Sequence, residues 1–193
     1  MDSVFEFLNQ PLIITIVSLV IGSYAISLIT EKRARQNKLR DQAVEFITQA
    51  GNNINQFLPL LYSRLRTGRI RWDQTLDDAL TELFTKRMWV QIGSQAYLRS
   101  EAFYQRYYQM LDEIMKLVQK FHALEQEGEG QPLAEEIRSQ RESLVRAWPL
   151  ENEDPNAGGG GATSELIAWL DAILHRVTAL LVEHLDAALG KNL

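Results

Sequence analysis

The chain of 193 residues contains no cysteine, and it has only 5 prolines and 3 histidines. The lack of cysteine excludes a disulfide-stapled secreted module, a cysteine-ligated zinc or iron–sulfur site and a cysteine nucleophile. Apolar residues make up 46% of the chain and charged residues 23%, a balance that excludes a wholly disordered protein. The composition therefore predicts an ordered chain without thiol chemistry.

Charge is missing from one long stretch near the N-terminus. No charged residue occurs between Glu6 and Glu31, which leaves 24 uncharged residues in a row. At about 1.5 Å of rise per residue, such a helix would reach roughly 36 Å, enough to cross a hydrocarbon core of about 30 Å. Residues 11–30 include 13 apolar residues of 20, and the other seven are Pro, Gly, Ser and Thr. We therefore expect a transmembrane helix over residues 11–30, preceded by a short extracytoplasmic N-terminus, residues 1–10.

The alternative to a retained anchor is a cleaved signal peptide. Such a peptide needs a positively charged start, a shorter apolar run and a cleavage site of small residues. The first ten residues carry Asp2 and Glu6 and no basic side chain. This comparison favours a retained anchor.

A basic segment, residues 31–40, follows the uncharged stretch, and we call it the collar. Its five basic residues stand against one acid, while residues 41–193 carry 15 basic and 22 acidic side chains. The positive-inside bias predicts a single-pass protein of the cell membrane, with the N-terminus outside and everything from residue 31 onward cytoplasmic. The collar either contacts lipid headgroups or only fixes this topology. Its basic residues are Lys32, Arg33, Arg35, Lys38 and Arg40.

Small residues recur on one side of the uncharged stretch. Thr15, Ser18, Gly22 and Ala25 are spaced 3, 4 and 3 residues apart. In lipid, helices associate through close approach across small residues and through hydroxyl hydrogen bonds. This seam is a candidate face for transmembrane helix association, although an isolated anchor also tolerates such residues.

The periodicity beyond the collar is helical, with no sustained alternation typical of strands. We expect an all-α protein in which the transmembrane helix continues into a cytoplasmic bundle of about five helices, with heptad-like spacing of the coiled-coil type in the first. The main bundle covers residues 41–149. Gly51 and Pro59 predict a kink in the first helix rather than its end. Asp73 or Thr75 should begin a second helix that closes near Gly93.

Three further helices complete the predicted bundle. Ser100 is an expected N-cap for the third helix, and Pro132 suits the first turn of the fourth. Residues 150–163 have the composition of a flexible, acidic, glycine-rich linker. A C-terminal apolar helix, residues 164–190, should pack on the bundle, an interpretation we prefer to a helix lying on the bilayer.

Four arginines, Arg64, Arg66, Arg69 and Arg71, fall within eight residues that contain no acid. Guanidinium groups on a bend could bind an anion, a lipid headgroup or an acidic partner. The alternative is a solvated turn with partial salt bridges. Nucleic acid is not an expected partner, because the remainder of the domain is acidic and would repel a polyanion.

Groups suited to catalysis or metal binding are sparse. Asp171 and His175 lie one helical turn apart, but no third ligand matches their spacing, so a side-chain pair is the preferred interpretation. The four-glycine run lacks the residues of a phosphate-binding loop. We expect no enzyme, no metal, no cofactor and no small-molecule substrate.

The sequence therefore predicts a membrane-anchored scaffold or accessory subunit that binds a partner protein, with membrane lipid around its anchor. The alternative is a self-assembling membrane effector or signalling protein that oligomerises through its transmembrane helix. An enzyme with a substrate site between helices is a residual third hypothesis.

Overall fold

The computed structural model describes residues 11–150 and 159–190, and within α1 it describes side chains at 27, 28 and from 30 onward. All regular structure in these residues is helical, and five α-helices are longer than ten residues, which confirms the predicted all-α bundle. The elements are α1 (Pro11–Arg66), α2 (Gln74–Thr85), α3 (Arg87–Gly93), a π-helical turn (Ser94–Leu98), α4 (Glu101–Glu127), α5 (Gln131–Ala147) and α6 (Ala162–Leu189).

The chain divides into two units, Met1–Gln42 and Ala43–Leu193. In the first unit, the collar is part of α1 and all its side chains are exposed. Arg35 pairs with Glu31 one turn earlier, at 2.7 Å. A solvated ion pair of this kind contributes little to stability. The role of the collar in topology or lipid contact stays a prediction.

The predicted transmembrane helix gains no support from the structure. Among the helices as far as the structure describes them, none is both long and apolar enough to cross a membrane. The backbone of residues 11–30 is helical, but the side chains of residues 11–26 and 29 lie outside the described set. The predicted face for helix association therefore lies outside the described side chains; its residues are Thr15, Ser18, Gly22 and Ala25. Residues 1–10, the predicted extracytoplasmic N-terminus, also lie outside the described residues.

The core of the second unit lies among α1, α4, α5 and α6. Helix α6 is central to it, because Leu166, Trp169, Leu170 and Ile173 are all fully buried. From α1 the core receives a heptad-like stripe that includes Ile47, Ile54, Leu58 and Leu61. The apolar residues of α6 cover too wide an arc for a surface helix, and packing against both α4 and α5 accounts for that pattern.

Several helix ends lie where local sequence signals place them. The Asp73 side chain accepts a hydrogen bond from the Leu76 amide at 3.2 Å, and Ser100 accepts one from the Phe103 amide at 3.3 Å. Gly190 adopts a left-handed conformation at the end of α6. Helix α1 continues through Gly51 and Pro59, so neither residue ends it.

The predicted second helix, by contrast, is divided. Helix α2 ends at Thr85, α3 begins at Arg87, and the π-helical turn then leads to Arg99, whose φ is +50°. Phe46 of α1 explains this path. Its ring lies 5.0 Å from Trp89 and 5.8 Å from Tyr97, and it packs directly against Gly93. The path of α3 and the π-helical turn therefore follows the Phe46 side chain, which is distant in sequence.

Most of the predicted linker, residues 151–158, lies outside the described residues. The described C-terminal part of the predicted linker is held by hydrogen bonds to Glu129. The Thr163 amide donates to Glu129 Oε1 at 3.2 Å, and the Thr163 hydroxyl also contacts that oxygen. Glu129 thus satisfies donors at the start of α6. Helix α6 accordingly begins at Ala162, two residues before the predicted start.

Candidate functional site

The four arginines singled out in the sequence lie around the bend between α1 and α2, which we call the arginine bend. Helix α1 ends at Arg66, and Gly68 turns the chain with a φ of +65°, a conformation that glycine adopts without steric cost. The Arg69 amide donates to the Arg64 carbonyl at 3.1 Å, which closes the turn. The backbone of the bend is therefore held by hydrogen bonds within the turn.

An alternating pattern then directs two arginines outward. Ile70 and Trp72 pack against the core, whereas Arg69 and Arg71 are exposed. The Arg71 amide donates to the Arg69 carbonyl at 2.8 Å, so the chain makes a tight turn at Ile70 between the two exposed arginines. The Trp72 ring lies 5.9 Å from Phe121, and its backbone amide donates to Glu125 at 3.1 Å. Trp72 thereby fixes the backbone next to the two exposed arginines, Arg69 and Arg71.

Arg64 differs from the other three arginines. It is half-buried and pairs with Asp73, the residue that caps α2. This contact joins the end of α1 to the start of α2, so Arg64 has a structural role. Arg66, Arg69 and Arg71 are exposed, and none of them forms an ion pair with a residue that the structure describes. Of the four predicted arginines, Arg64 therefore stabilises the fold, and the other three expose their guanidinium groups to solvent.

Comparisons of the chain with protein-family models, curated proteins and solved structures find no match.

A groove of about 440 Å³ lies between α4 and α5. Lys116 at its edge contacts Glu113 at 2.7 Å and Asp112 at 3.0 Å. Hydrogen bonding to Glu113 is the main cause of a raised Lys116 pKa, so the ammonium stays charged. Lys116 thus pairs with both acids at this edge of the groove, while the second carboxylate oxygen of Glu113 is buried without a hydrogen-bond partner among the described residues.

The Asp171–His175 pair has a half-buried aspartate and an exposed histidine. Burial raises the pKa of Asp171, while the charge of His175 lowers it to a smaller extent. Within the described residues, no three His, Asp or Glu side chains converge as metal ligands. His175 acts on Asp171 through its charge, without a hydrogen bond or ion pair between their side chains in this structure, so the side-chain pair stays a prediction.

The raised Asp171 pKa gives a testable pH dependence. Folding favours the protonated acid, so this contribution to stability is present below the ordinary pKa of 3.8 and is lost as pH rises through the folded-state pKa. We expect Asp171→Asn to unfold at a higher temperature than the parent at neutral pH, with the difference vanishing at low pH. Thermal unfolding followed by circular dichroism measures this. The same gap in unfolding temperature at every pH would contradict the assignment.

A buried polar cluster around Glu165 is not predicted by the sequence. Glu165, fully buried on α6, accepts hydrogen bonds from Arg138 Nε and Nη2 at 3.0 and 2.8 Å and from the Gly159 amide at 3.1 Å. The buried Arg141 Nε lies 3.7 Å from its second oxygen. Hydrogen bonding to Glu165 is the main cause of a raised Arg138 pKa. The cluster joins α5, Gly159 and α6.

Proposed function

We propose that this protein is a membrane-anchored helical scaffold or accessory subunit that binds an acidic partner protein at the cytoplasmic face of the membrane through the arginine bend. The observation that carries the proposal is that Arg66, Arg69 and Arg71 expose three guanidinium groups within six residues. Arginine pairs with carboxylates through two parallel hydrogen bonds, which gives such a surface specificity as well as charge.

The proposed location rests on the sequence. The 24 uncharged residues and the collar after them are the features of a single-pass anchor with its C-terminal domain in the cytoplasm. A binding role agrees with the described side chains, because the charged groups of the α4–α5 groove pair with one another. Partner recognition at the bend requires no chemistry from these groups.

The test uses the full-length protein, extracted from its own membrane in mild detergent, with the co-purifying chains identified by mass spectrometry. We expect a different chain in fixed ratio, and we expect its loss when Arg66, Arg69 and Arg71 are all replaced by glutamine. Each charge-assisted hydrogen bond removed contributes about 1.5–3 kcal/mol, so the three changes together should lower affinity by more than tenfold. Folding stability should change little, since the three side chains are exposed.

A triple lysine variant at the same positions is the matched control. It retains the charge but loses the planar fork of donors, so it should bind the partner with intermediate affinity. Retention of the partner by the glutamine variant would contradict a role for the bend.

The second candidate function, self-assembly through the transmembrane helix, rests on the spacing of Thr15, Ser18, Gly22 and Ala25. It predicts a different result in the same experiment. A native mass that is a multiple of 22.1 kDa, with no other chain present, would favour self-assembly.

A further inference from the structure

Helix α3 and the π-helical turn present an apolar surface to solvent, which we call the α3 face. Its members are Met88, Trp89, Ile92 and Tyr97, with exposed fractions of 68, 37, 60 and 41%. Single exposed apolar residues are common on proteins, but a contiguous group of large ones marks an interaction surface. These four lie within ten residues of sequence.

The geometry of α3 fixes this surface in place. Val90 and Gly93 are buried on its inner side. Met88 and Ile92 lie one turn apart on the outer side, and Trp89 is about 100° around the helix from Met88. Beneath them the Phe46 ring contacts both Trp89 and Tyr97. The α3 face is therefore held by the core and cannot turn inward without breaking those contacts.

The segment that carries this face is basic. Between Glu82 and Glu101 there is no acidic residue. Lys86 pairs with Glu82, which leaves Arg87 and Arg99 as the basic residues of this segment without an acidic partner among the described residues. The guanidinium carbon of Arg87 lies 4.0 Å from the centre of the Tyr108 ring, which holds it beside the surface. Residues 41–193 as a whole carry 22 acidic against 15 basic side chains. The α3 face is thus an apolar surface with Arg87 and Arg99 close to it in sequence, on a domain that is acidic as a whole.

We propose that the α3 face docks on the surface of an anionic lipid bilayer. Tryptophan and tyrosine favour the interface between hydrocarbon and water, and basic side chains next to them are attracted to anionic headgroups. Methionine and isoleucine then enter the acyl boundary, as the apolar side of an interfacial helix does. This contact is separate from the collar and from the arginine bend.

The test exploits the absence of cysteine. Ile92→Cys in the full-length chain creates a single labelling site for an environment-sensitive fluorophore on the α3 face. The labelled protein is reconstituted into vesicles of phosphatidylcholine alone or of phosphatidylcholine mixed with phosphatidylserine. Quenching by aqueous iodide and by brominated lipid is then measured. In mixed vesicles we expect a several-fold fall in iodide quenching, strong quenching by brominated lipid and a blue shift of the emission.

Two comparisons make the result specific. Val182→Cys on α6, 50% exposed in the parent protein, is the matched control and should remain open to iodide in both kinds of vesicle. Adding Arg87→Gln and Arg99→Gln to the Ile92→Cys chain should restore iodide quenching, as should high salt, because both remove the electrostatic attraction. Helical circular dichroism is measured on every labelled chain to verify that it is folded.

Three outcomes would overturn the proposal. Iodide quenching at Ile92→Cys that equals that at Val182→Cys would show that the α3 face stays in water. Equal protection in both kinds of vesicle would remove the role of anionic lipid. Protection from iodide that requires a co-purified chain, without quenching by brominated lipid, would assign the surface to a protein partner instead.

Discussion

Glu165→Ala is expected to lower the free energy of unfolding by about 3–5 kcal/mol, the effect of removing one partner from a buried ion pair. Glu165 is fully buried, and its carboxylate accepts hydrogen bonds from Arg138 and the Gly159 amide, while Arg141 Nε lies 3.7 Å from its second oxygen. Without it, Arg138 and the Gly159 amide lose their hydrogen-bond acceptor inside the fold, and the Arg141 side chain, only 4% exposed, loses one opposite charge 3.7 Å away. Desolvation of a guanidinium is costly unless a nearby anion offsets it.

Denaturant unfolding of the full-length chain in detergent, followed by circular dichroism, measures this change. Glu165→Gln keeps the volume and one acceptor oxygen but removes the charge, so its loss should be smaller than that of alanine. Glu142→Ala, an exposed acid on α5, is the matched control and should stay within about 0.5 kcal/mol of the parent. A loss below about 1 kcal/mol for Glu165→Ala would contradict a buried pair that stabilises the α5–α6 junction.

The parts of the fold that sequence predicts are those with a local cause. Asp73 and Ser100 begin helices because their own side chains accept hydrogen bonds from amides three residues later. Gly190 ends α6 because glycine adopts the left-handed conformation without steric cost. Such signals lie within one helical turn of the boundary, so no tertiary contact is needed to predict them.

The division of α2 from α3 has no local cause. No glycine or proline lies between Thr85 and Arg87, and the path of the chain follows from the Phe46 ring on another helix. The arginine bend was predicted as a group of four for a similar reason. The contact that removes Arg64 from that group joins it to Asp73, and only the fold shows that this pair is half-buried.

The Glu165 cluster did leave a signal in the sequence. Glu165, Trp169, Ala172 and Arg176 follow one another at spacings of 4, 3 and 4, and all four are buried on one stripe of α6. Charged residues in phase with an apolar stripe indicate buried polar contacts rather than a solvated face. The partners Arg138 and Arg141 lie on α5, and the sequence alone could not show that α5 faces this stripe.

Gly93→Ala is expected to lower the free energy of unfolding by about 1–3 kcal/mol, although alanine favours a helix interior over glycine by about 1 kcal/mol. A methyl group at this position would overlap the Phe46 ring. The ring has little freedom to move, because Trp89, Tyr97 and Phe103 surround it at 5.0, 5.8 and 5.8 Å between ring centres. The steric cost should therefore exceed the gain in helix propensity.

A double-mutant cycle with Phe46→Leu isolates that steric cost. In the Phe46→Leu background the smaller side chain makes room for the methyl group, so Gly93→Ala should become neutral or stabilising even though Phe46→Leu is itself destabilising. Gly130→Ala is the control for a new methyl group in open space, since its Cβ would meet only Pro132 Cδ, at 3.9 Å. Equal losses for Gly93→Ala in both backgrounds would show that Phe46 does not set the position of α3. A coupling of about 1 kcal/mol or more would show that it does, because two residues 47 positions apart in sequence can interact this strongly only through direct packing.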